Sequence, residues 1–360
     1  MNIETEFLKF KADPNVFPHQ KNYAELYLTF KERFITDIHP EIKSRMIEIE
    51  KDGYFNDHGV EHINMVIERC SRIIVNHKPK FTLDNVEGYI TPYELFILLM
   101  SIQLHDAGHL IVKRKDHAKA AKELLAKMDR DSNLSAAEKT WIGNIAQAHG
   151  GKDDPIGKLE NKTRLSGQEI RPQFLASLLR LGDELAEDET RASNFLLSED
   201  LIESKTSIIF HVYSASLNDI HPEGNEISLQ FYLTDKYLNK RFPVKKDDKE
   251  IEKMIIDEIY DRTIKTHLEA LYCARFLPAD CRFTKVKVKI HLLAEKNHGD
   301  ILPPIGYELV EIGYPTNNIS SIFDMCESLW VDGKKNGQKL DGEYISSQVT
   351  EKLKINEESI

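Results

Sequence analysis

The residues best able to do chemistry in this chain are histidines and aspartates spread along its first half. His58 and His62 stand four apart in DHGVEH, a spacing that puts two side chains on one face of a helix. His105 and Asp106 are adjacent in QLHDAGH, at the end of a nearly unbroken apolar run, with His109 one turn later. A carboxylate in such surroundings is costly unless something satisfies it. His117 opens KDHAKAAKELL, His149 closes IAQAHGG, and Asp183 follows an apolar stretch in LLRLGDEL. Taken singly, each histidine reads more readily as a cap or a core ring. Buried charges rarely lack partners, so the conjunction of His62, His105, Asp106 and Asp183 outweighs that. Imidazoles and carboxylates at the ends of successive helices are how a bundle builds an internal metal site. With no thiolate among them, the set suits Mn, Fe, Co, Ni, Mg or Zn, and residue type does not fix the ion.

An ion held by two imidazoles and two carboxylates keeps open positions, lowers the pKa of a water it binds and polarises a phosphoryl oxygen. Lys113, Arg114 and Lys115 follow the His-Asp doublet, and Lys119 and Lys122 come one and two turns later. They are candidate phosphate contacts or, equally, a solvated helix face. Arg180 precedes Asp183 by one turn and either faces the same cavity or pairs with Glu184. The acidic run Glu187, Asp188 and Glu189 is expected to be solvated surface, or at most to supply a charge behind the site.

These residues need helices to position them. Tyr23, Leu26, Tyr27, Phe30 and Phe34 recur at helical spacing, so residues 20 to 76 read as helical, interrupted by GYFNDHG. A second helix is expected from about Asp57, with His62, Val66 and Ile67 on its face. A third starts at Thr91 with Pro92 in its first turn, and is apolar enough to be central and buried. Helices also follow at 116–128, at 135–149, where Ser135 and Glu138 form a capping-box pattern, and at 171–189. Beyond about 195 the character changes: SIIFHVYSAS and EISLQFYLT read as two strands of a hairpin around DIHPEGN. A long helix is expected from Lys246 to Phe276, then a strand in FTKVKVKIHLLA, then a weakly patterned end. Met254, Tyr260, Tyr272, Cys70 and Cys273 read as core. The expected fold is mainly α, a helical bundle to about residue 195 followed by a smaller α+β accessory region. The expected division is an N-terminal helical extension (1–50), a metal-binding helical domain (51–195) and the accessory region (196–360).

The H, HD and D series across consecutive helices resembles the HD superfamily of metal-dependent phosphohydrolases over about residues 55 to 190. The resemblance implies that His62, His105, Asp106 and Asp183 hold the ion. HDAGH is similar to the HD-x-G-H of deoxynucleoside triphosphate triphosphohydrolases, which implies catalytic roles for His109 and His117. DHGVEH is similar to the H-N-x-x-H of cyclic-nucleotide phosphodiesterases, which would make His58 the acid for the leaving group. His117 and His149 also match the extra ligands of two-metal HD enzymes, so two roles for His117 stay open. No G-Y-P follows the doublet, and LIVKRKD replaces the proline-phenylalanine segment of the triphosphohydrolases. The whole layout most resembles HD domains of bacterial conflict and antiphage systems, the Clover type among them.

The function this implies is hydrolysis of a nucleotide, foremost a deoxynucleoside triphosphate to deoxynucleoside and triphosphate, with one or two divalent ions per chain. A phosphodiesterase of cyclic or dinucleotides, a di-iron oxygenase and a non-catalytic nucleotide sensor are the alternatives. A nucleotide effector and a homo-oligomer are the implied partners. The formal net charge of -11 provides no basic field for duplex nucleic acid. The four cysteines form no C-x-x-C pair, which favours a reducing, cytoplasmic setting. The start MNIETEFLKFKADPN lacks a signal-peptide layout, and LFILLMSIQL is half a membrane span, so neither secretion nor membrane insertion is expected.

Overall fold

The computed structural model describes residues 2–42, 44, 59–77, 90–110, 117–151, 153–189, 192, 197–202, 204–246, 249–311 and 321–358. They form two units. The first takes the described residues up to 44, from 59 to 186 and from 272 to 282; the second takes those from 187 to 271 and from 283 onward. The fold is mainly α, with a sheet-bearing α+β part.

The first unit is built around one helix. Its helices are α1 (Ile3–Leu8), α2 (Tyr23–Arg33), α3 (Val60–His77), α4 (Pro92–Leu104), α5 (His117–Met128), α6 (Ala136–Gln147) and α7 (Pro172–Glu184). Every residue of α4 from Tyr93 to Leu104 is buried, as expected of a helix apolar on all sides. It packs against α1, α2, α3, α6 and α7. Its start is set by Thr91, whose side chain caps the Glu94 amide while Glu94 returns to the Thr91 amide, with Pro92 at the first position. α6 opens in the same way with Ser135 and Glu138.

Both of these N3 glutamates are buried and tie other elements in. Glu138 accepts from the Tyr23 hydroxyl at 2.5 Å and the Tyr93 hydroxyl at 2.8 Å. Glu94 accepts from the Arg171 amide at 3.0 Å and from its guanidinium at 2.8 Å on each carboxylate oxygen. Arg171 precedes α7, so this pair joins the N-terminal ends of α4 and α7. A small hairpin, β1 (Thr163–Leu165) and β2 (Gln168–Ile170), turns through Ser166 and Gly167, both at positive φ.

The second unit holds a four-stranded sheet in the order β3-β4-β7-β8, with β3 (Leu217–Glu223), β4 (Glu226–Thr234), β7 (Lys285–Leu293) and β8 (Asp300–Val310). β4 and β7 are parallel and the other pairs antiparallel. The parallel pair requires a long crossover, supplied by the hairpin β5 (Arg241–Lys246) and β6 (Lys249–Met254) and then α9 (Ile255–Ala274). Tyr260 and Thr263 of α9 meet Tyr307 of β8, the hydroxyls of Thr263 and Tyr307 at 2.8 Å. α8 (Ile208–Ser216) and α10 (Gly342–Glu358) complete the unit.

Several expectations are corrected here. SIIFHVYSAS is mostly the helix α8; its β-branched and aromatic residues favour strands, but Ile209, Val212, Tyr213 and Ser216 follow the helical period and are buried. The first strand of the hairpin is the segment read as its turn: Leu217–Glu223 is strand, and the turn is Gly224 at positive φ with Asn225. Pro222 is tolerated because β3 is an edge strand. The long helix starts at Ile255, nine residues late, because residues up to Met254 pair as the β5–β6 hairpin. The helix expected to run to 189 ends at Glu184. Glu187 is not solvated surface: its side chain is 14 % exposed and faces Arg262 at 3.8 Å. Tyr272 is half-buried and polar in its contacts, accepting from the Ile156 amide and donating to Asp154.

Candidate metal centre

The first unit gathers the C-terminal ends of three helices and the N-terminal turn of a fourth. His62 stands in the first turn of α3, His105 and Asp106 follow α4, His149 follows α6, and Asp183 is in the last turn of α7. Three helix C-termini carry partial negative charge, which favours a cation between them.

Ligand-type atoms of His62, His105 and Asp183 all lie within 4.8 Å of one another. His62 Nε2 is 3.3 Å from His105 Nε2 and 3.2 Å from Asp183 Oδ1. Asp106 Oδ2 lies 3.1 Å from His105 Nε2 and 3.5 Å from His62 Nε2. Two ligands about 2.1 Å from one ion, at angles between octahedral and tetrahedral, stand roughly 3.0–3.4 Å apart. Three of these separations fall in that range, and His62–Asp106 at 3.5 Å and His105 Nε2–Asp183 Oδ1 at 3.6 Å lie just beyond it, close to what donors around a single divalent ion require. His105 Nδ1 donates to the Ile102 carbonyl at 2.7 Å, which turns Nε2 toward the cluster, where an ion would take the place of its proton.

His149 is oriented in the same way, with Nδ1 on the Ala146 carbonyl at 2.6 Å. Its Nε2 lies 3.7 Å from Asp106 Oδ1, the oxygen opposite the one facing His62 and His105. Asp106 thus presents one oxygen to each side. His62, His105, Asp106 and His149 are buried and Asp183 is partly exposed, so the cluster opens to solvent past Asp183.

The electrostatics agree with a cation site. Burial opposes ionisation of Asp183, but the His105 and His62 rings outweigh it and hold its carboxyl well below the usual range. Burial also opposes charge on His105, and the Asp106 and Asp183 carboxylates overcome that and push it well above its ordinary value. The cluster thus favours positive charge at its centre, which a proton on His105 or a divalent ion would supply.

Among the other candidates, Arg180 donates to the Gly151 carbonyl at 3.3 Å and the Ala148 carbonyl at 3.5 Å, on either side of His149. Its guanidinium lies 4.9 Å from the centre of the Tyr272 ring. His109 is in the short 3₁₀ turn Ala107–Leu110 and His117 opens α5; their side chains, like that of Lys119, lie outside what is described. His58, Lys113, Arg114 and Lys115 lie outside the described residues. Lys122 is exposed on α5.

Three supporting residues were not singled out in the sequence. His39, fully buried, uses Nε2 on the Gln103 carbonyl at 3.1 Å, close to the doublet, and burial lowers its pKa to about 4. Arg69 Nε donates to the Leu185 carbonyl at the end of α7. Gln103 donates to the Tyr27 hydroxyl at 3.1 Å. A histidine or arginine spent on the free carbonyls of a helix end has no sequence signature, since its partner is remote in the chain.

Among the described residues no helix is long and apolar enough to cross a membrane. Comparison with curated proteins and with solved structures gives no match. A family model does match, over residues 52–261, which span the helices that carry the cluster and continue through β3 to β6 into α9. With more than half of its length matched, the chain belongs to the HD-CE family and carries an HD-type domain.

Proposed function

We propose that the chain is a metal-dependent phosphohydrolase acting on a nucleotide, foremost a deoxynucleoside triphosphate. The observation that carries this is the convergence of His62, His105 and Asp183, with Asp106 beside them, at the ends of four helices of an HD-type domain. A bound divalent ion would supply Lewis acidity, activating water and polarising a phosphoryl oxygen. The chain does the rest. His62, His105, Asp106 and Asp183 would hold the ion, and the Ile102 carbonyl orients His105 toward it through Nδ1.

Attack of water at the α-phosphorus forms a new P–O bond as the bond to the 5′ oxygen breaks; the water gives up a proton, and the 5′ oxygen takes one and leaves as the deoxynucleoside, with triphosphate as the other product. His58, His109 and His117 are the residues we assign to that proton transfer, and Lys113, Arg114, Lys115 and Arg180 to the phosphates. The substrate choice, assembly as a homo-oligomer and a place in antiphage defence rest on the sequence resemblance. A second reading, a phosphodiesterase using two ions, is favoured by one feature: Asp106 turns Oδ1 toward His149 and Oδ2 toward His62 and His105. In it His149 and His117 hold the second ion.

A chromatographic product screen decides between these readings, using purified protein with Mn, Mg, Fe or Co and all deoxynucleoside triphosphates and cyclic dinucleotides. Inorganic triphosphate supports the first reading and nucleoside monophosphate the second. No metal-dependent product from any of them would refute both.

A further inference from the structure

The exposed face of the sheet β3-β4-β7-β8 carries a row of side chains that the metal centre does not use. Lys285, Lys287, Lys289 and His291 alternate along β7 with the buried Val286, Val288 and Ile290, so all four stand on that face. Lys285 is taken up by Glu226 at 3.0 Å and Glu308 at 2.8 Å. Lys287 and Lys289 are exposed, and among the described residues neither has an ion-pair or hydrogen-bond partner.

β7 is an interior strand, so the neighbours of the two lysines are fixed: Ser228 and Gln230 on β4, Glu308 and Gly306 on β8. At the end of the row the ring of Tyr232, 40 % exposed, lies parallel to that of His291, centroids 4.6 Å apart and planes 4° apart. A groove of about 500 Å³, lined by Lys287, Lys289 and Gly306, by the acidic Glu308 and Glu327 and by Met325, Cys326 and Ser328, runs beside the lysines, a size typical of small-ligand sites.

We propose that this face binds a free nucleoside di- or triphosphate, with its base stacked on the Tyr232–His291 pair and its phosphates on Lys289 and Lys287. Alternate residues along a strand are about 7 Å apart. The aromatic pair, Lys289 and Lys287 therefore form three stations in line, in the order base, inner phosphate, outer phosphate. Stacking accepts any base, and the two ammonium groups supply point charges for the phosphates.

An extended polynucleotide is disfavoured by the charges around the row. Asp219 and Glu223 of β3 pair in register with Gln230 and Glu226, on the same face, and Glu226 and Glu308 together more than neutralise Lys285. The positive footprint thus ends after two lysines, too short for a backbone that carries a charge at every nucleotide. The site lies in the second unit and does not rest on the hydrolytic reading.

The test is calorimetric binding to the full-length chain in EDTA, which prevents metal-dependent turnover, with ATP, GTP, inorganic triphosphate and a short oligothymidylate as probes. ATP and GTP are expected to bind alike. The Lys287→Gln/Lys289→Gln double variant should weaken ATP binding about tenfold or more. Tyr232→Ala should lose about tenfold, down to the level of inorganic triphosphate. All three positions are exposed, so both variants should melt like the wild type. Failure of the wild type to bind ATP, binding unchanged in both variants, or oligothymidylate binding tighter than ATP would each overturn the proposal.

Discussion

Replacing Glu94 should reveal how the fold sets the candidate metal centre from a distance. Glu94 is 1 % exposed and its carboxylate accepts four hydrogen bonds, one from the Thr91 amide and three from Arg171. From Glu94 to His105 is eleven residues and from Arg171 to Asp183 twelve, roughly 16–18 Å of helix in each case. The pair therefore holds α4 and α7 in register, with the ends that carry His105, Asp106 and Asp183 level. Glu94→Ala leaves the Arg171 guanidinium without its carboxylate and removes half of a capping box, so a loss of about 3–5 kcal/mol is expected. Glu94→Gln keeps the shape and gives up only the charge-assisted part, about 1–3 kcal/mol. Urea unfolding measures both. The double variant Glu94→Leu/Arg171→Met should recover more than about 1 kcal/mol relative to the sum of the single losses, because no buried charge is left alone. A Glu94→Ala cost below about 0.5 kcal/mol, or strict additivity in the double variant, would refute this account of the register.

Three further outcomes are expected. His39 titrates at about 4 in the folded chain, below the ordinary value of about 6.5. Only the unfolded chain gains this proton as pH drops below about 6.5, so stability should fall between there and about 4, by up to about 3 kcal/mol; a urea midpoint series against pH should show less slope in His39→Asn, and equal slopes would remove His39 as the cause. Gly182 precedes Asp183, and a Cβ there would run into the Cys70 sulfur, so Gly182→Ala should cost about 1–3 kcal/mol and Gly182→Ala/Cys70→Ala should recover part of it by thermal melting. Removing metal should lower stability by about 2.7 kcal/mol at a hundredfold excess over its dissociation constant, because the ligands come from four helices and meet only in the folded chain; an unchanged melting temperature after verified metal loss would count against an interhelical site.

The first half of the chain was more legible than the second, for physical reasons. α4 announces itself because an all-apolar helix with Thr91, Pro92 and Glu94 at its start has one consistent solution. His62, His105, Asp106 and Asp183 stood out because polar groups at the ends of apolar helices violate the local pattern. What holds them did not stand out: Arg69 on the Leu185 carbonyl, His39 on the Gln103 carbonyl and Arg180 beside Tyr272 are pairings between remote residues. In the second unit, local preference and tertiary structure disagree. Strand-favouring residues form α8, where helical spacing buries Ile209, Val212, Tyr213 and Ser216. The polar KEIEKM reads as helix surface yet is β6, held by pairing to β5 rather than by its own pattern. β8, which precedes the stretch read as weakly patterned, and α10, at the end of the chain, have weak signatures because Pro303, Pro304 and Gly306 interrupt the first, and the second presents few apolar residues.

The metal content of the Asp183→Ala variant tests the central claim most directly. Asp183 belongs to the cluster with His62 and His105 yet is its most exposed member, so its removal leaves the core around α4 intact. Wild-type chain and variant, loaded with Mn and desalted together, would be compared by plasma emission after matching far-UV circular dichroism. At least one ion per chain in the wild type and a clear loss in the folded variant is the expected result. Full metal content in folded Asp183→Ala would contradict the assignment of this cluster as the metal centre.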